Sequence, residues 1–221
     1  MRLNDKMNIH SFYNLFLPFF RRQRMKRFLY TYDPDENTRI IDIGGYAKHW
    51  ESTNLKSQFT ILNLTIPADT SNFKKNYQFV KGDGTALDFT DNSFDIAYSN
   101  SVIEHLESWE NQVKFANEIR RIAKNIWIQT PAKWFFVDPH LMTPFIHYLP
   151  KRFQRKLIRN FTLWGIVTRA PQSYIDMHLK TLRLITYREM KTLFPDCSIY
   201  KERFLFLVKS YIAIRKTNPA D

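Results

Sequence analysis

The sequence predicts an α/β fold with a doubly wound, mostly parallel sheet that is covered by helices on both faces. Two observations predict it: apolar runs bounded by turn residues, and the alternation of these strands with helices, of which the clearest is an amphipathic pattern before the last run. The chain has 221 residues, of which 44% are hydrophobic. That suffices for one domain with an insertion and argues against disorder.

Five apolar runs predict the parallel strands. A helix from Ser108 to about Ala123 is predicted before the last run, because apolar residues recur in this stretch at helical spacing. Parallel strands bring their carboxyl ends to one edge of the sheet, and ligands of such sheets bind at that edge. The five runs are Arg39–Ile43, Phe59–Leu64, Tyr77–Val80, Phe94–Tyr98 and Ile126–Gln129.

After Pro131 the alternation of strands and helices is interrupted. Residues 132–194 are predicted to form an inserted helical cap, which includes the basic, amphipathic stretch 151–159. Within the cap, Thr186 and Glu189 match a capping box that opens a helix.

The tail completes a sheet of seven strands. Residues 199–204 and 205–214 are strand-like and follow each other without a crossover, so they should pair antiparallel. The predicted organisation is a basic and aromatic helical segment in residues 1–32, a core in residues 33–131 and 195–216, and the cap between the two parts of the core.

The net charge of +12 favours a polyanionic partner: nucleic acid, an anionic lipid surface or a phosphorylated substrate. A basic, solvated surface without a special partner explains it equally well. The basic, aromatic segments 11–30 and 145–164 suit contact with an anionic membrane, although they could also bind a partner helix or pack on the core.

The sequence predicts a cytoplasmic protein. Its basic, aromatic segments would also suit contact with the inner face of the membrane. A single cysteine, Cys197, excludes an intramolecular disulfide and zinc sites of the usual cysteine type. No apolar run reaches the length of about 18 residues that spans a bilayer. The basic cluster in residues 21–27 follows the apolar stretch Phe12–Phe20, whereas a secretory signal has its positive charges first, so no secretory signal is expected.

Four of the five glycines follow the first and third predicted strands. Glycine permits positive φ and close backbone approach, so a ligand could lie against both turns, or the turns are simply tight. Asp42 ends the first strand two residues before Gly44, while the Gly-x-Gly-x-x-Gly pattern of dinucleotide sites is absent. A carboxylate here suits the ammonium of a methionine-derived sulfonium cofactor, which it attracts directly or through the loop that it orders.

The stretch Asp42-Ile-Gly-Gly-Tyr-Ala-Lys48 resembles motif I of the class I S-adenosylmethionine-dependent methyltransferases, Asp-x-Gly-x-Gly-x-Gly. Tyr46 and Lys48 occupy the later glycine positions. Residues 82–95 resemble the adenine segment of that family, and residues 98–106 resemble the fourth-strand motif of its subgroup acting on small molecules. The resemblance covers about residues 38–131 and implies a Rossmann-like fold with S-adenosylmethionine as the cofactor.

The resemblance also implies roles for single residues. Asn63 lies 21 residues after Asp42, where the family holds the ribose hydroxyls, although it could also be a strand-end turn residue. Asp83 would accept a hydrogen bond from the adenine amino group, with Thr85 or Ala86 against the ring. The predicted cofactor site comprises Asp42, Gly44, Gly45, Tyr46, Asn63, Leu64, Asp83, Gly84, Thr85, Ala86, Ser99 and Asn100.

Histidines are the candidates for a general base, which an oxygen nucleophile would need. Asp138 beside His140 is the preferred pair, because an acid can fix the tautomer of a histidine. Their alternative is a hinge of the cap. His105 is the second candidate, with a structural, backbone-bonded histidine as its alternative. The histidines are scattered, so no metal site is expected.

The predicted function is therefore S-adenosylmethionine-dependent O-methylation of a small-molecule, glycan or lipid-linked acceptor. One alternative is a nucleic-acid methyltransferase, which only the charge supports. Residues 99–102 lack the Pro-Pro-aromatic motif of base methylases, so a nucleic-acid partner is not expected. The other alternative is an inactive scaffold that binds the cofactor, which Tyr46 and Lys48 suggest.

Overall fold

The computed structural model describes residues 9–70 and 73–217 and has an α/β fold built on a seven-stranded sheet. The strands of the main sheet and of a separate two-stranded sheet are β1 (Arg39–Ile43), β2 (Gln58–Asn63), β3 (Tyr77–Lys81), β4 (Phe94–Asn100), β5 (Ala123–Pro131), β6 (Val137–Asp138), β7 (Thr143–Pro144), β8 (Ser198–Phe204) and β9 (Leu207–Arg215).

The order across the main sheet is β3-β2-β1-β4-β5-β9-β8. Strands β1 to β5 pair in parallel, and β9 is antiparallel to both of its neighbours. This confirms the predicted fold class. The central strand β1 is buried along Ile40, Ile41 and Ile43, which is why it reads as an unbroken apolar run.

The described α-helices differ widely in length. They are α1 (Ile9–Tyr32), α2 (Ala47–Glu51), α3 (Trp109–Ile122), α4 (Lys151–Phe161), α5 (Leu163–Thr168), α6 (Gln172–Thr181) and α7 (Tyr187–Leu193). None of them combines the length and the apolar character that crossing a bilayer requires.

Capping explains where two of these helices begin. The Ser108 hydroxyl accepts a hydrogen bond from the backbone N–H of Asn111 at 3.2 Å, at the predicted start of α3. The capping box of Thr186 and Glu189 opens α7, which confirms that prediction.

The regular alternation of strands and helices was wrong at two connections. The described residues between β2 and β3, and those between β3 and β4, contain no helix. Pro67 and the β-branched Thr65 and Ile66 disfavour a helix after β2. The described part of the connection from β2 to β3 therefore provides no helix to cover the sheet beside β2.

The described residues divide into two compact units. The sheet unit comprises residues 31–134 and 183–217, and the helical unit comprises residues 9–30 and 135–182. These bounds differ from the predicted cap, because Ala132 bridges to Ile185 and the Arg183 N–H donates to the Glu104 carbonyl at 2.7 Å. Residues 183–194 consequently pack with the sheet.

The helical unit has a small core of its own, and α4 and α5 approach closely within it. Gly165 permits this approach, since a Cβ there would overlap the Ile158 carbonyl group. The Thr162 hydroxyl caps α5 by accepting the Gly165 N–H at 2.9 Å. The core consists of Leu141, Ile146, Ile158, Ala170, Ile175 and Leu179.

The predicted N-terminal segment is described only in part. Residues 1–8 lie outside the described residues, and so do the side chains of residues 9–19, which include most of the apolar stretch Phe12–Phe20. Helix α1 spans the remainder of the segment.

Replacing Gly165 tests the packing of the helical unit. We expect Gly165→Ala to lower the free energy of unfolding by about 2 kcal/mol or more, because the overlapping atoms belong to backbone and cannot swing away. Urea denaturation followed by circular dichroism measures the change. Ser173→Ala, at an exposed helical position of the same unit, is the control and should change stability by less than about 0.5 kcal/mol. Equal stabilities of the two variants would contradict the packing described.

Candidate functional site

The loop after β1 has the conformation that its glycines permit. Gly44 has φ +74°, a value that other residues rarely adopt. Its N–H donates to the Leu62 carbonyl at 2.7 Å, which binds the loop to the end of β2. Gly45 lies directly over the Asp42 carboxylate, so that any Cβ there would overlap the carboxylate oxygens. Both glycines are thus required by this loop.

Asp42 is a buried acid beneath that loop. Only 2% of the residue is exposed, and its Oδ2 accepts a hydrogen bond from the Trp50 indole N–H at 2.7 Å. Its Oδ1 is also buried and has no hydrogen-bond partner among the described residues. Burial raises the pKa of Asp42 to about 7, and the Trp50 hydrogen bond offsets only part of this effect.

Asn63 connects the end of β2 to the glycine loop. Its side-chain N–H donates to the Gly45 carbonyl at 2.7 Å, and its backbone carbonyl accepts from the Gly82 N–H at 3.0 Å. The turns after β1, β2 and β3 are therefore joined through this one residue. The side-chain N–H of Asn63 thus holds the loop, and its role at the ribose stays a prediction.

A cleft of about 340 Å³ opens where β1 and β2 end. Tyr46 is 77% exposed beside it, and Leu64, after β2, is 69% exposed. Both side chains are therefore available at the carboxyl edge. The cleft is lined by Gly45, Tyr46, Ala47, Lys48, Ile61, Asn63, Thr65, Ile66, Pro67, Phe73 and Phe79.

The segment after β3 combines an exposed acid with packed glycines. Asp83 Oδ1 accepts from the N–H and the hydroxyl of Thr85, both at 2.8 Å, and Asp83 also bridges to Ala86. A Cβ on Gly84 would press on the Phe115 ring at 2.9 Å. Packing against α3 thus accounts for Gly84 without a ligand.

The loop after β4 is fixed from below. Ser99 is 1% exposed and its hydroxyl donates to the Ile43 carbonyl at 2.9 Å, so this side chain serves the sheet. Asn100, at the end of β4, is partly exposed. The next residue, Ser101, has φ 58° and its N–H donates to the Gln129 carbonyl at 3.0 Å.

Glu104 is a buried acid that the sequence analysis missed. It is fully buried and accepts a hydrogen bond from the Thr130 hydroxyl at 3.0 Å, which joins the loop after β4 to the end of β5. The only signal in the sequence was its position beside His105 in the fourth-strand motif. His105 itself ends the 3-10 helix 103–105 and is exposed.

In the helical unit, Asp138 holds its neighbours through one carboxylate. Its Oδ1 accepts the backbone N–H groups of His140 and Leu141 at 2.8 and 2.9 Å, and His140 Nδ1 lies 3.5 Å from the same oxygen. His147 Nδ1 lies 3.9 Å from Oδ2, a neighbour to which the sequence assigned no role. Although burial opposes it, the contact with His140 and these N–H groups lower the pKa of Asp138.

Part of the chain matches a known protein family. Residues 44–125 match the family model of a methyltransferase domain. No curated protein sequence matches the chain.

Solved structures share the fold at low identity. Phosphoethanolamine N-methyltransferase 2 of Haemonchus contortus, solved with S-adenosyl-L-methionine, is 12% identical with a TM-score of 0.54, over 81% of this chain and 38% of that one. A Haloferax volcanii protein provisionally described as a methyltransferase, solved with the Trm112 methyltransferase activator, is 12% identical with a TM-score of 0.53, over 86% and 87%. A Nostoc punctiforme protein provisionally described as an O-methyltransferase is 10% identical with a TM-score of 0.50, over 87% and 55%.

The chain spans less than two thirds of the length of two of these three proteins. At such identities the likeness shows the fold, and the family match adds the kind of domain. Residues 44–125 match a methyltransferase domain, and the chain shares the fold of solved methyltransferase structures.

Proposed function

We propose that this chain transfers a methyl group from S-adenosylmethionine to an oxygen of a small-molecule, glycan or lipid-linked acceptor. One observation carries the proposal: within the stretch that matches a methyltransferase domain, a glycine loop with a positive φ lies over a buried carboxylate, one oxygen of which has no hydrogen-bond partner among the described residues. We place the activity in the cytoplasm, in contact with the inner face of the membrane.

The residues at the carboxyl edge fit the cofactor. The loop at Gly44 and Gly45 allows close approach of a ligand, and Asp42 attracts an ammonium group through the backbone that it orders. Asp83 is exposed and offers an acceptor for an amino group on the adenine, with Leu64 exposed at the same edge. When bound, the cofactor supplies an electrophilic methyl group on its sulfonium.

His140 is the proposed general base for an oxygen nucleophile. Its Nδ1 faces Asp138, which favours the tautomer that leaves Nε2 as the proton acceptor. The helical unit, residues 9–30 and 135–182, is the proposed substrate cap. An inactive scaffold remains the competing function, and it would bind the cofactor without transferring the methyl group.

Cofactor binding depends on the absence of a side chain at Gly45. We expect Gly45→Ala to weaken the binding of S-adenosylhomocysteine by about 50-fold or more, because the new Cβ must displace the loop from Asp42. Titration calorimetry measures the Kd. Gly82→Ala is the matched control, since its Cβ would meet only the Leu62 side chain at 3.1 Å, and its Kd should stay within about threefold. If both variants bind like the parent, the loop is not the cofactor site.

Affinity for the cofactor should rise with pH. The folded pKa of Asp42 is about 7, and a cationic ammonium favours the ionised carboxylate. We therefore expect the Kd of S-adenosylhomocysteine to fall about tenfold between pH 5.5 and pH 7.5. Asp42→Asn should remove this dependence. A parent protein with constant Kd over this range would refute the role of Asp42.

The raised pKa of Asp42 makes the stability of the cofactor-free protein fall with rising pH, whereas cofactor affinity is expected to rise. Since the folded pKa of Asp42 lies above its value of 3.8 in the unfolded chain, its contribution is most favourable below pH 4 and is lost as pH rises through 7. Asp42→Asn should therefore raise the Tm at pH 8 by several degrees and change it little at pH 4. Differential scanning calorimetry provides this second reading of the same group.

Methyl transfer can be tested before the acceptor is known. Incubation with methyl-labelled cofactor and a cell extract should yield labelled product. We expect His140→Ala to reduce the labelling rate about 100-fold or more while the Kd of S-adenosylhomocysteine stays unchanged. His105→Ala is the rival substitution. A loss with His105→Ala alone would transfer the role of base to His105, and tight cofactor binding without any label in the parent protein would favour the scaffold.

A further inference from the structure

The positive charge of the protein is concentrated in one unit. Residues 9–30 and 135–182 contain twelve Lys and Arg but only two Asp, a net charge of +10 out of +12 for the chain. Residues 31–134 and 183–221 contain 19 Lys and Arg against 18 Asp and Glu. Both acids of the helical unit are engaged, since Asp138 is buried and Asp176 accepts two hydrogen bonds from Arg155. The unit therefore presents almost purely positive charge.

Helix α4 presents part of this charge as a continuous face. Arg152, Lys156 and Arg159 are exposed and lie within about two turns on one side of the helix. The opposite side is buried through Gln154 and Ile158, so the orientation of the helix is fixed by the core of the unit. These cations cannot turn inward.

Large apolar side chains are also exposed on α4 and on the following helix α5. Phe161 is 68% exposed at the end of α4, and Leu163 and Ile166 are 37% and 46% exposed one turn apart on α5. Phe153 is 46% exposed, with the Arg152 guanidinium 4.9 Å from its ring centre. Large apolar side chains exposed close together in the sequence are typical of a surface that contacts a protein, a membrane or a ligand.

We propose that this surface docks on an anionic lipid bilayer. The docking surface comprises Arg152, Phe153, Lys156, Arg159, Phe161, Leu163 and Ile166. The cations meet lipid phosphates, and the apolar side chains enter the boundary between headgroups and acyl chains. Exposed apolar side chains favour a bilayer over nucleic acid, whose phosphates require only the cations. The inference deepens the proposed function, because it selects a lipid-linked acceptor.

Co-sedimentation with vesicles tests the docking surface without any cofactor. The full chain should bind vesicles of 70% phosphatidylcholine and 30% phosphatidylglycerol about 100-fold more strongly than pure phosphatidylcholine vesicles. The variant Arg152→Glu/Lys156→Glu/Arg159→Glu should lose about 100-fold of this binding, since each basic residue contributes about tenfold or less at such surfaces. Phe161→Ser/Ile166→Ser should lose about tenfold and leave a remainder that 0.5 M salt abolishes.

The matched control reverses the same number of charges elsewhere. Lys74, Lys75 and Arg188 are exposed in the sheet unit, and their triple substitution by Glu should leave vesicle binding within about threefold. Circular dichroism and the Kd of S-adenosylhomocysteine establish that each variant is folded and binds cofactor. This second measurement also separates the two proposals, because vesicle binding and cofactor binding can fail independently.

Several outcomes would overturn the inference. One is equal binding of the parent protein to the two kinds of vesicle. Another is equal loss in the control and in the α4 variant, which would indicate an effect of net charge alone. A third is tight, salt-sensitive binding of a 40-nucleotide RNA by a parent protein that does not bind vesicles, which would assign the surface to nucleic acid.

Discussion

The buried carboxylate of Asp42 under the glycine loop is the constraint on which the rest of the site depends. Trp50 donates the one hydrogen bond to it that the described residues provide, at 2.7 Å, and the second oxygen stays buried. An acid in such a place is costly to ionise. Folds keep such groups where they serve a ligand, and the loop above Asp42 is shaped for close backbone approach.

The glycines at this edge have two different physical causes. Gly44 and Gly45 are required by a positive φ and by the carboxylate beneath them. Gly84 is required by the Phe115 ring of α3, and Gly82 lies against Leu62. All four follow strands, so their positions in the sequence could not separate a ligand-binding turn from a packed one. Only the neighbours that a Cβ would meet make the distinction.

Local patterns predicted what local physics determines. The apolar run of β1, the start of α3 at Ser108 and the capping box of α7 were all predictable, because each depends on residues within one turn or one strand. The contacts of the site were not. Trp50 reaches Asp42 only after α2 folds back, and Glu104 meets Thr130 from a different strand. The boundary of the helical unit likewise depends on the distant pairing of Ala132 with Ile185.

The two units differ in net charge, which suits them to different ligands. A cofactor that carries a sulfonium and an ammonium is attracted by acids, and the nearly neutral sheet unit contains Asp42 and Asp83, the acids proposed to serve it. A net charge of +10 in the helical unit cannot serve that ligand, and self-repulsion makes it costly to fold. The proposed docking surface gives this charge a polyanionic contact outside the cofactor site. In that proposal the exposed Phe161, Leu163 and Ile166 favour a bilayer over other polyanions, because water penalises exposed apolar side chains and a bilayer would cover them.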